Sequence, residues 1–576
     1  MKILYGLLYE TDSAWQFMCI FLLCSLVVLP ILHHFLKEKI KMWAAICAVP
    51  LMVYITFMLK EYYRGDPELT AIRYAAFGVV ALFIALWGLS ILKKHSYIAN
   101  TIVLIVCSVI ILIVNLLAIW AVWLRPNVAN YSHLGWKDSF EKTIDYMEQE
   151  YILNDWKEID YDKIRKDLIW KVEVAERNND EVGYVAALYE LKYKFHDGHV
   201  TVRGDMGVRN QAIERLAGND YGFSMFRASS GEVVAILVDE SSECYQRGIR
   251  NGTVITKWDN VPVEEAAEEV KCIDREHAFM TWENIHLAQP IFLAGQGEET
   301  VNVSFINDAG EEETAELSAS GSYINRRSEA LRILFNDNVI SGENYSTRML
   351  NENVGYLRIT EEEYSTDPGF VIKSTIGGFS QEIYDDLDKR LEEMRARGMD
   401  RIILDIRNND GGYGYESRTV ASLFTPNPGP YNLTLYKDGK YEVVKEAEDI
   451  NKGKYSDIPV VVLLNGQTCS AGEVMMYLLK DCPNVQLVGN TESWGAVQGT
   501  GGSAVLSDSR FEFRFPITPT VDDDHLPYID PKADYHARLT VDKKITFTKE
   551  EVVDYFSNPT EDKVLEEAIE IIQEMD

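Results

Sequence analysis

Positive charge is in short supply in this 576-residue chain: 56 Lys and Arg stand against 89 Asp and Glu, a net charge of −33. Such a surface repels a phosphate backbone, and no basic stripe offsets the excess, so a nucleic-acid partner is excluded. Cysteine is scarce too. Of eight, Cys19, Cys24, Cys47 and Cys107 fall in an apolar N-terminal region, and Cys244, Cys272, Cys469 and Cys482 are too sparse for a disulfide scaffold. Cys469 and Cys482 flank one expected helix and stand about 20 Å apart at helical rise, beyond bridging reach. A Cys244–Cys272 bond is left open. The ten histidines are scattered and no Cys/His pair has ligand spacing, so no metal and no other cofactor is expected. Repeats and low-complexity tracts are also absent.

What the chain has is a sharp division. Apolar runs of about 18 to 28 residues occupy Trp15–Leu36, Met42–Leu59, Tyr74–Leu92 and Tyr97–Leu124, each long enough for a hydrocarbon core of about 30 Å. A cleaved signal peptide has one short apolar stretch, not four. The reading is therefore a membrane domain of four transmembrane helices, with the lipid bilayer as a partner. Lys37, Lys39 and Lys41 in one loop, and Lys93 and Lys94 in another, put those loops in the cytoplasm. Everything after Arg125 then lies outside it.

Beyond Pro126 the composition is that of an acidic soluble protein. Apolar residues at helical spacing, among them Ile144, Met147, Tyr151, Val182, Leu188 and Leu191, predict a helical cap over 139–193. The run His196-Asp197-Gly198-His199 reads as a turn leading into an alternating strand. From 220 to 320 short strands alternate with turns, a pattern that resembles a PDZ domain. There Gly222-Phe223-Ser224 is the carboxylate-binding loop, whose backbone N–H groups receive a peptide's C-terminus. From Asn353 onward near-continuous Ile/Val/Leu strands (354–359, 401–406, 460–464) alternate with helices (380–397, 417–424, 471–480, 561–575). That predicts an α/β core with its sheet covered on both faces.

Two strand-to-loop junctions carry the chemistry. At the first, Asp405-Ile406-Arg407-Asn408-Asn409-Asp410-Gly411-Gly412 runs from a buried strand into a double glycine. At the second, Thr468-Cys469-Ser470-Ala471-Gly472-Glu473 leads from a buried strand into a helix. Alone, a serine there is an N-cap and a double glycine is a turn. Together, after Asp197-Gly198-His199 and before Gly489-Asn490-Thr491-Glu492-Ser493-Trp494-Gly495, they resemble the C-terminal-processing and tricorn-core family of serine peptidases. The resemblance runs from about Phe195 to Asp534.

The resemblance implies a crotonase/ClpP-like core with Ser470 as nucleophile. It also implies an oxyanion hole built from the N–H of Gly411 or Gly412 and that of Ala471. Each such donor is worth about 3 kcal/mol in the transition state. Many members use a lysine some two dozen residues after the serine. Here Trp494-Gly495-Ala496 fills that stretch, and no lysine occurs between Lys480 and Lys532. Tricorn-like members use a histidine ahead of the PDZ domain instead. His199 matches that position, with His196 its neighbour and competitor. For a third, orienting acid the resemblance points to Asp524, with Asp530 as the alternative.

The expected organisation is therefore a membrane domain over 1–126, a helical cap over 127–217, a PDZ-like domain over 218–320 and an α/β serine peptidase core over 321–576. The expected function is a membrane-anchored endopeptidase acting outside the cytoplasm on protein or peptide substrates, bound by their C-termini at the PDZ-like domain. The competing class is an inactive peptidase fold that serves as a peptide-binding scaffold.

Overall fold

The structure is a computed structural model, and it describes residues 128–575 apart from 276–279, 341, 427–432, 436–440, 444–452, 498, 519, 522–525 and 530–539. It corrects the expected fold class. Among the described residues no helix is long and apolar enough to cross a membrane. The four expected spans, 15–36, 42–59, 74–92 and 97–124, lie outside the described residues. What stands among the described residues is an α/β fold, with no four-helix membrane region among them.

The chain divides into two compact units. In the described part of the first, Val128–Asn130 pairs in parallel with Ser503–Val505, and Ser507 Oγ donates to the Leu134 carbonyl at 3.0 Å. The second unit, 136–502 with 513 onward, carries every functional group discussed below.

That unit opens with helices α1 (Trp136–Glu150), α2 (Tyr161–Asn178), α3 (Glu181–Tyr193) and α4 (Met206–Ala217). Asp160, Asp180 and Asp205 cap α2, α3 and α4, each accepting a backbone N–H from the first turn. A small β-region follows. Strands β1 (Ser224–Arg227) and β2 (Val233–Ile236) pair antiparallel, and β3 (Ile255–Trp258), β4 (Thr300–Ile306) and β5 (Glu312–Ser318) form a second antiparallel sheet with Val261–Pro262 at its edge. Helix α5 (Trp282–Leu293) packs on β1, and α6 (Ile324–Leu334) leads out.

The core is a six-stranded sheet. In chain order its strands are β6 (Ser346–Met349), β7 (Val354–Arg358), β8 (Arg401–Asp405), β9 (Val460–Leu464), β10 (Val485–Gly489) and β11 (Lys543–Lys544), and they lie side by side in that same order. β7 to β11 run parallel, and only β6 is antiparallel to its neighbour. Successive residues point to opposite faces, so Leu404, Val462 and Leu464 pack with one set of helices and Ile403, Val461 and Leu463 with the other. The first set is α7 (Gln381–Arg395), α8 (Gly414–Phe424) and α9 (Ala471–Leu479); the second is α6, α10 (Lys549–Ser557) and α11 (Lys563–Glu574). Every side chain of β9 is fully buried. At about 1.5–3 kcal/mol per buried Val or Leu, this strand alone is a large stabilising element. The adjacent parallel strands β8 and β9 both end at the same edge, where loops of open α/β sheets gather ligands.

Candidate active site

The loop after β8 is held from below by ions. Arg407, 1% exposed, donates to both Asp405 oxygens (3.0 and 2.7 Å) and to both Asp562 oxygens (2.7 and 2.8 Å), while Arg358 reaches Asp405 at 3.2 Å. Removed from water, these charges persist only because they are paired.

The loops after β8 and β9 are stitched to each other. Asn408 N–H donates to Asn465 Oδ1 at 3.1 Å, and Asn465 Nδ2 donates back to Asn408 Oδ1 at 2.7 Å. Thr468 Oγ1 donates to the Ile406 carbonyl at 2.7 Å, and Cys469 N–H donates to that of Asn409 at 2.9 Å. The double glycine is thereby pressed on Ser470. A methyl group on Gly411, which has φ +81°, would stand 2.6 Å from Ser470 Cβ and 3.1 Å from Ala471 N. On Gly412, with φ +148°, it would stand 2.3 Å from the Glu362 carbonyl oxygen. Only glycine fits either place.

Ser470 sits immediately before α9 with φ 52° and ψ −115°, a strained conformation for a residue with a side chain. Its hydroxyl is thus held at the positive end of the helix dipole, beside the double glycine. The candidate oxyanion donors differ in state. Gly411 N–H is committed to Asn409 Oδ1 at 2.8 Å. Gly412 N–H and Ala471 N–H donate to no acceptor among the described residues.

His199 reaches this neighbourhood through the backbone. Asp197 fixes its turn: one carboxylate oxygen accepts His199 N–H at 2.9 Å, and the other accepts the Tyr151 hydroxyl at 2.8 Å. Gly198 N–H donates to the Gly495 carbonyl at 3.3 Å. Gly495 and Ala496 N–H groups donate to Glu473 at 2.7 and 2.8 Å, and Glu473 also accepts Ser470 N–H at 3.1 Å and Ser493 Oγ at 2.8 Å. Burial pushes the Glu473 carboxyl up to about 7, against four donors that pull it down. One carboxylate therefore ties the nucleophile helix to the loop that seats the histidine turn. Where the resemblance implies a lysine, the loop is organised by this glutamate.

Burial lowers the His199 imidazole below its ordinary value, with the Asp197 carboxylate pulling the other way. Its Nδ1 is buried without a partner, and the imidazole makes no hydrogen bond to a described residue, Ser470 included. His196 is placed differently. Its ring packs edge-on against Tyr193 at 4.8 Å, its carbonyl accepts Lys157 Nζ, and burial pushes it down to about 3. Asp524 and Asp530 both lie outside the described residues.

In the small β-region, Gly222 N–H donates to Asp220 Oδ1 at 2.8 Å, and Asp220 is paired with Arg326 at 2.9 Å. Phe223 is fully buried against Trp258, and Ser224 Oγ shares a 2.5 Å hydrogen bond with the Tyr323 hydroxyl. The first amide of the expected carboxylate-binding turn is thus engaged by the protein's own carboxylate. All four described cysteines are free and buried, so Cys244 and Cys272 are not bridged. Among the described residues no group of three or more His, Cys, Asp or Glu is placed to hold a metal ion.

Sequence reasoning missed three polar groups here: Glu473 as a clamp, Asn409 as a hub, and Glu362 behind the double glycine. A signal existed for Glu473 alone. A glutamate three residues after a helix-leading serine is the spacing of a capping box, whose carboxylate accepts the serine's own N–H.

Residues 353–529 match peptidase family S41. The carboxy-terminal processing protease CtpA of Bacillus subtilis (strain 168) is 29% identical over 149 residues, 26% of this chain and 28% of that protein. The carboxyl-terminal-processing protease of Synechocystis sp. is 29% identical over 138 residues, 24% of this chain and 27% of that protein. The chain thus spans little more than a quarter of the length of the curated relatives it matches. Among solved structures, mature CPAF complexed with lactacystin aligns with 76% of this chain and 99% of its own at 14% identity and TM-score 0.43. The photosystem II D1 C-terminal processing protease aligns with 75% and 99% at 16% identity and TM-score 0.31.

Proposed function

We propose that this chain, with its S41 segment over 353–529, is a serine peptidase that hydrolyses polypeptides through an acyl-enzyme on Ser470. One observation carries the reading: a strained serine at a helix N-terminus lies against a double glycine, with the N–H groups of Gly412 and Ala471 beside it engaged by no described residue. Ser470 Oγ attacks the scissile carbonyl carbon and gives its proton to the His199 imidazole. The carbonyl oxygen, now negative, is received by the two amides. Collapse breaks the C–N bond, and the imidazolium returns the proton to the leaving amine. Water, deprotonated by the same imidazole, then attacks the ester and releases the new carboxylate. His199, kept below its ordinary value by burial, is in the neutral form this needs. The resting imidazole closes on the hydroxyl once substrate is bound, since catalytic hydrogen bonds tighten in the Michaelis complex. Asp524 or Asp530 is the acid we propose to orient it.

The substrate class is polypeptide. Capture of a chain end at Gly222-Phe223-Ser224 requires the Asp220 carboxylate to release Gly222 N–H first. A second reading, a peptidase fold used only to bind peptides, draws on the missing lysine and on an imidazole bonded to no hydroxyl. A fluorophosphonate probe separates the two. It labels the wild type, leaves Ser470→Ala unlabelled and labels His199→Ala far more slowly. A folded wild type that binds peptide and never labels refutes the peptidase.

A further inference from the structure

Glu362 lies in the segment between β7 and α7 and is fully buried. Its backbone brackets the double glycine: its N–H donates to the Gly411 carbonyl at 2.9 Å, and its own carbonyl accepts Tyr413 N–H at 2.9 Å. Its side chain reaches the same turn by another route. Glu362 Oε1 accepts Asn409 Nδ2 at 3.0 Å, and Asn409 in turn receives Gly411 N–H on its side-chain oxygen and Cys469 N–H on its carbonyl. Glu362 Oε2 is buried with no partner. An ionised carboxylate with one oxygen left bare in a dry site is costly, whereas a carboxylic acid leaves only a hydroxyl there.

We propose that Glu362 is a positioning residue that holds a proton, and that its neutral carboxylic acid sets the Asn409–Gly412 turn so that Gly412 N–H faces the developing oxyanion. This rests on the peptidase reading and adds to it a second titration, separate from that of His199.

The surroundings agree. Burial, then the Glu416 and Glu361 carboxylates, push Glu362 up to about 8, with the Asn409 amide the main opposing contact. Glu416 is itself buried, accepts the Tyr345 hydroxyl at 2.5 Å and Tyr364 N–H at 3.0 Å, and is raised by burial. The Tyr345 hydroxyl and the Cys469 thiol also feel the Glu362 charge, and both are neutral at working pH because they too are raised. The charged groups that act most strongly on Glu362 among the described residues are carboxylates. Loss of the proton puts two carboxylates in one buried site, and the turn must shift to relieve them.

The test compares wild type, Glu362→Gln and Glu362→Leu in the full chain by the rate at which a fluorophosphonate phosphonylates Ser470 and by Tm across pH. Wild-type labelling falls as pH rises through about 8. Gln, which keeps an acceptor for Asn409 and cannot ionise, abolishes that fall and leaves the acid limb unchanged. Leu abolishes it too but is labelled roughly tenfold slower at every pH, the worth of about one lost hydrogen bond.

The folded protein keeps a proton that the unfolded chain releases, so wild-type stability drops between pH 4.5 and about 8 and is level above. The Tm advantage of Gln over wild type therefore grows across that window. A flat Tm difference, or an alkaline fall that persists in Gln, overturns the proposal. A growing Tm difference in a wild type that is never labelled refutes the peptidase reading and leaves the buried proton established.

Discussion

The seat of the histidine turn can be tested by one methyl group. A Cβ on Gly198 would stand 2.4 Å from Trp494 Cδ1, 2.5 Å from its Nε1 and 2.7 Å from Ala496 Cβ. Ordinary contact begins at 3.4 Å, so the turn must retreat by about 1 Å, the difference between 3.4 and 2.4 Å. Gly198 is not among the positive-φ glycines, so the backbone accepts alanine and the effect is purely steric. A displacement of about 1 Å of a catalytic group costs about 10²-fold, or about 2.7 kcal/mol in the transition state. Gly198→Ala should therefore be phosphonylated by a fluorophosphonate about 100-fold more slowly while its Tm falls by only a few degrees. Removing the larger obstacle eases the effect: Gly198→Ala with Trp494→Ala should recover part of the lost rate, with Ala496 Cβ still 2.7 Å away, giving a coupling energy that separate defects do not produce. If Gly198→Ala labels at the wild-type rate, the turn does not place the base, and the role given to His199 fails.

Other expectations are open to direct measurement. His199→Ala should lower the rate of fluorophosphonate labelling about 10³-fold without altering Tm at pH 8. In the wild type the rate should reach half its plateau only below pH 6.5, because burial lowers the histidine; a rate already halved at pH 7 contradicts this. The same shift makes wild-type stability drop as pH falls from 6.5 through the folded value, since the unfolded chain takes up the proton first. Arg407→Ala takes the shared guanidinium from Asp562 and leaves Asp405 with Arg358 alone as its ion partner among the described residues, so unfolding in urea should show a loss of about 3–5 kcal/mol. A loss under 1 kcal/mol refutes the load assigned to that buried pair.

Much of the core was legible because its strands are short apolar runs bounded by polar turns. Val460–Leu464 falls where its run of Val and Leu predicts, and helix 471–480 is observed as Ala471–Leu479. Strand 401–406 loses only Ile406, which joins the loop stitched to Thr468. The site was legible as motifs rather than as contacts. Ser470 and the double glycine are adjacent because Asn408, Asn409, Asn465 and Thr468 bond across two loops far apart in sequence, and no local pattern encodes such pairing. Glu362 was invisible for the same reason. In sequence it is one of three consecutive glutamates that read as a solvated run, and only the tertiary fold buries the middle one. The four-helix membrane expectation rested on hydropathy alone, and the described fold does not carry it. At Gly222 the turn was legible, but the Asp220 carboxylate that already holds its amide was not.

Among the described residues the histidine turn and the nucleophile helix are tied through Glu473 and the 493–496 loop, with the whole small β-region and four core strands between them in the chain. During synthesis the imidazole leaves the ribosome long before the hydroxyl, and the clamp that registers them emerges last. A growing polypeptide thus holds its histidine and its serine unregistered until the loop that brings them together has been made.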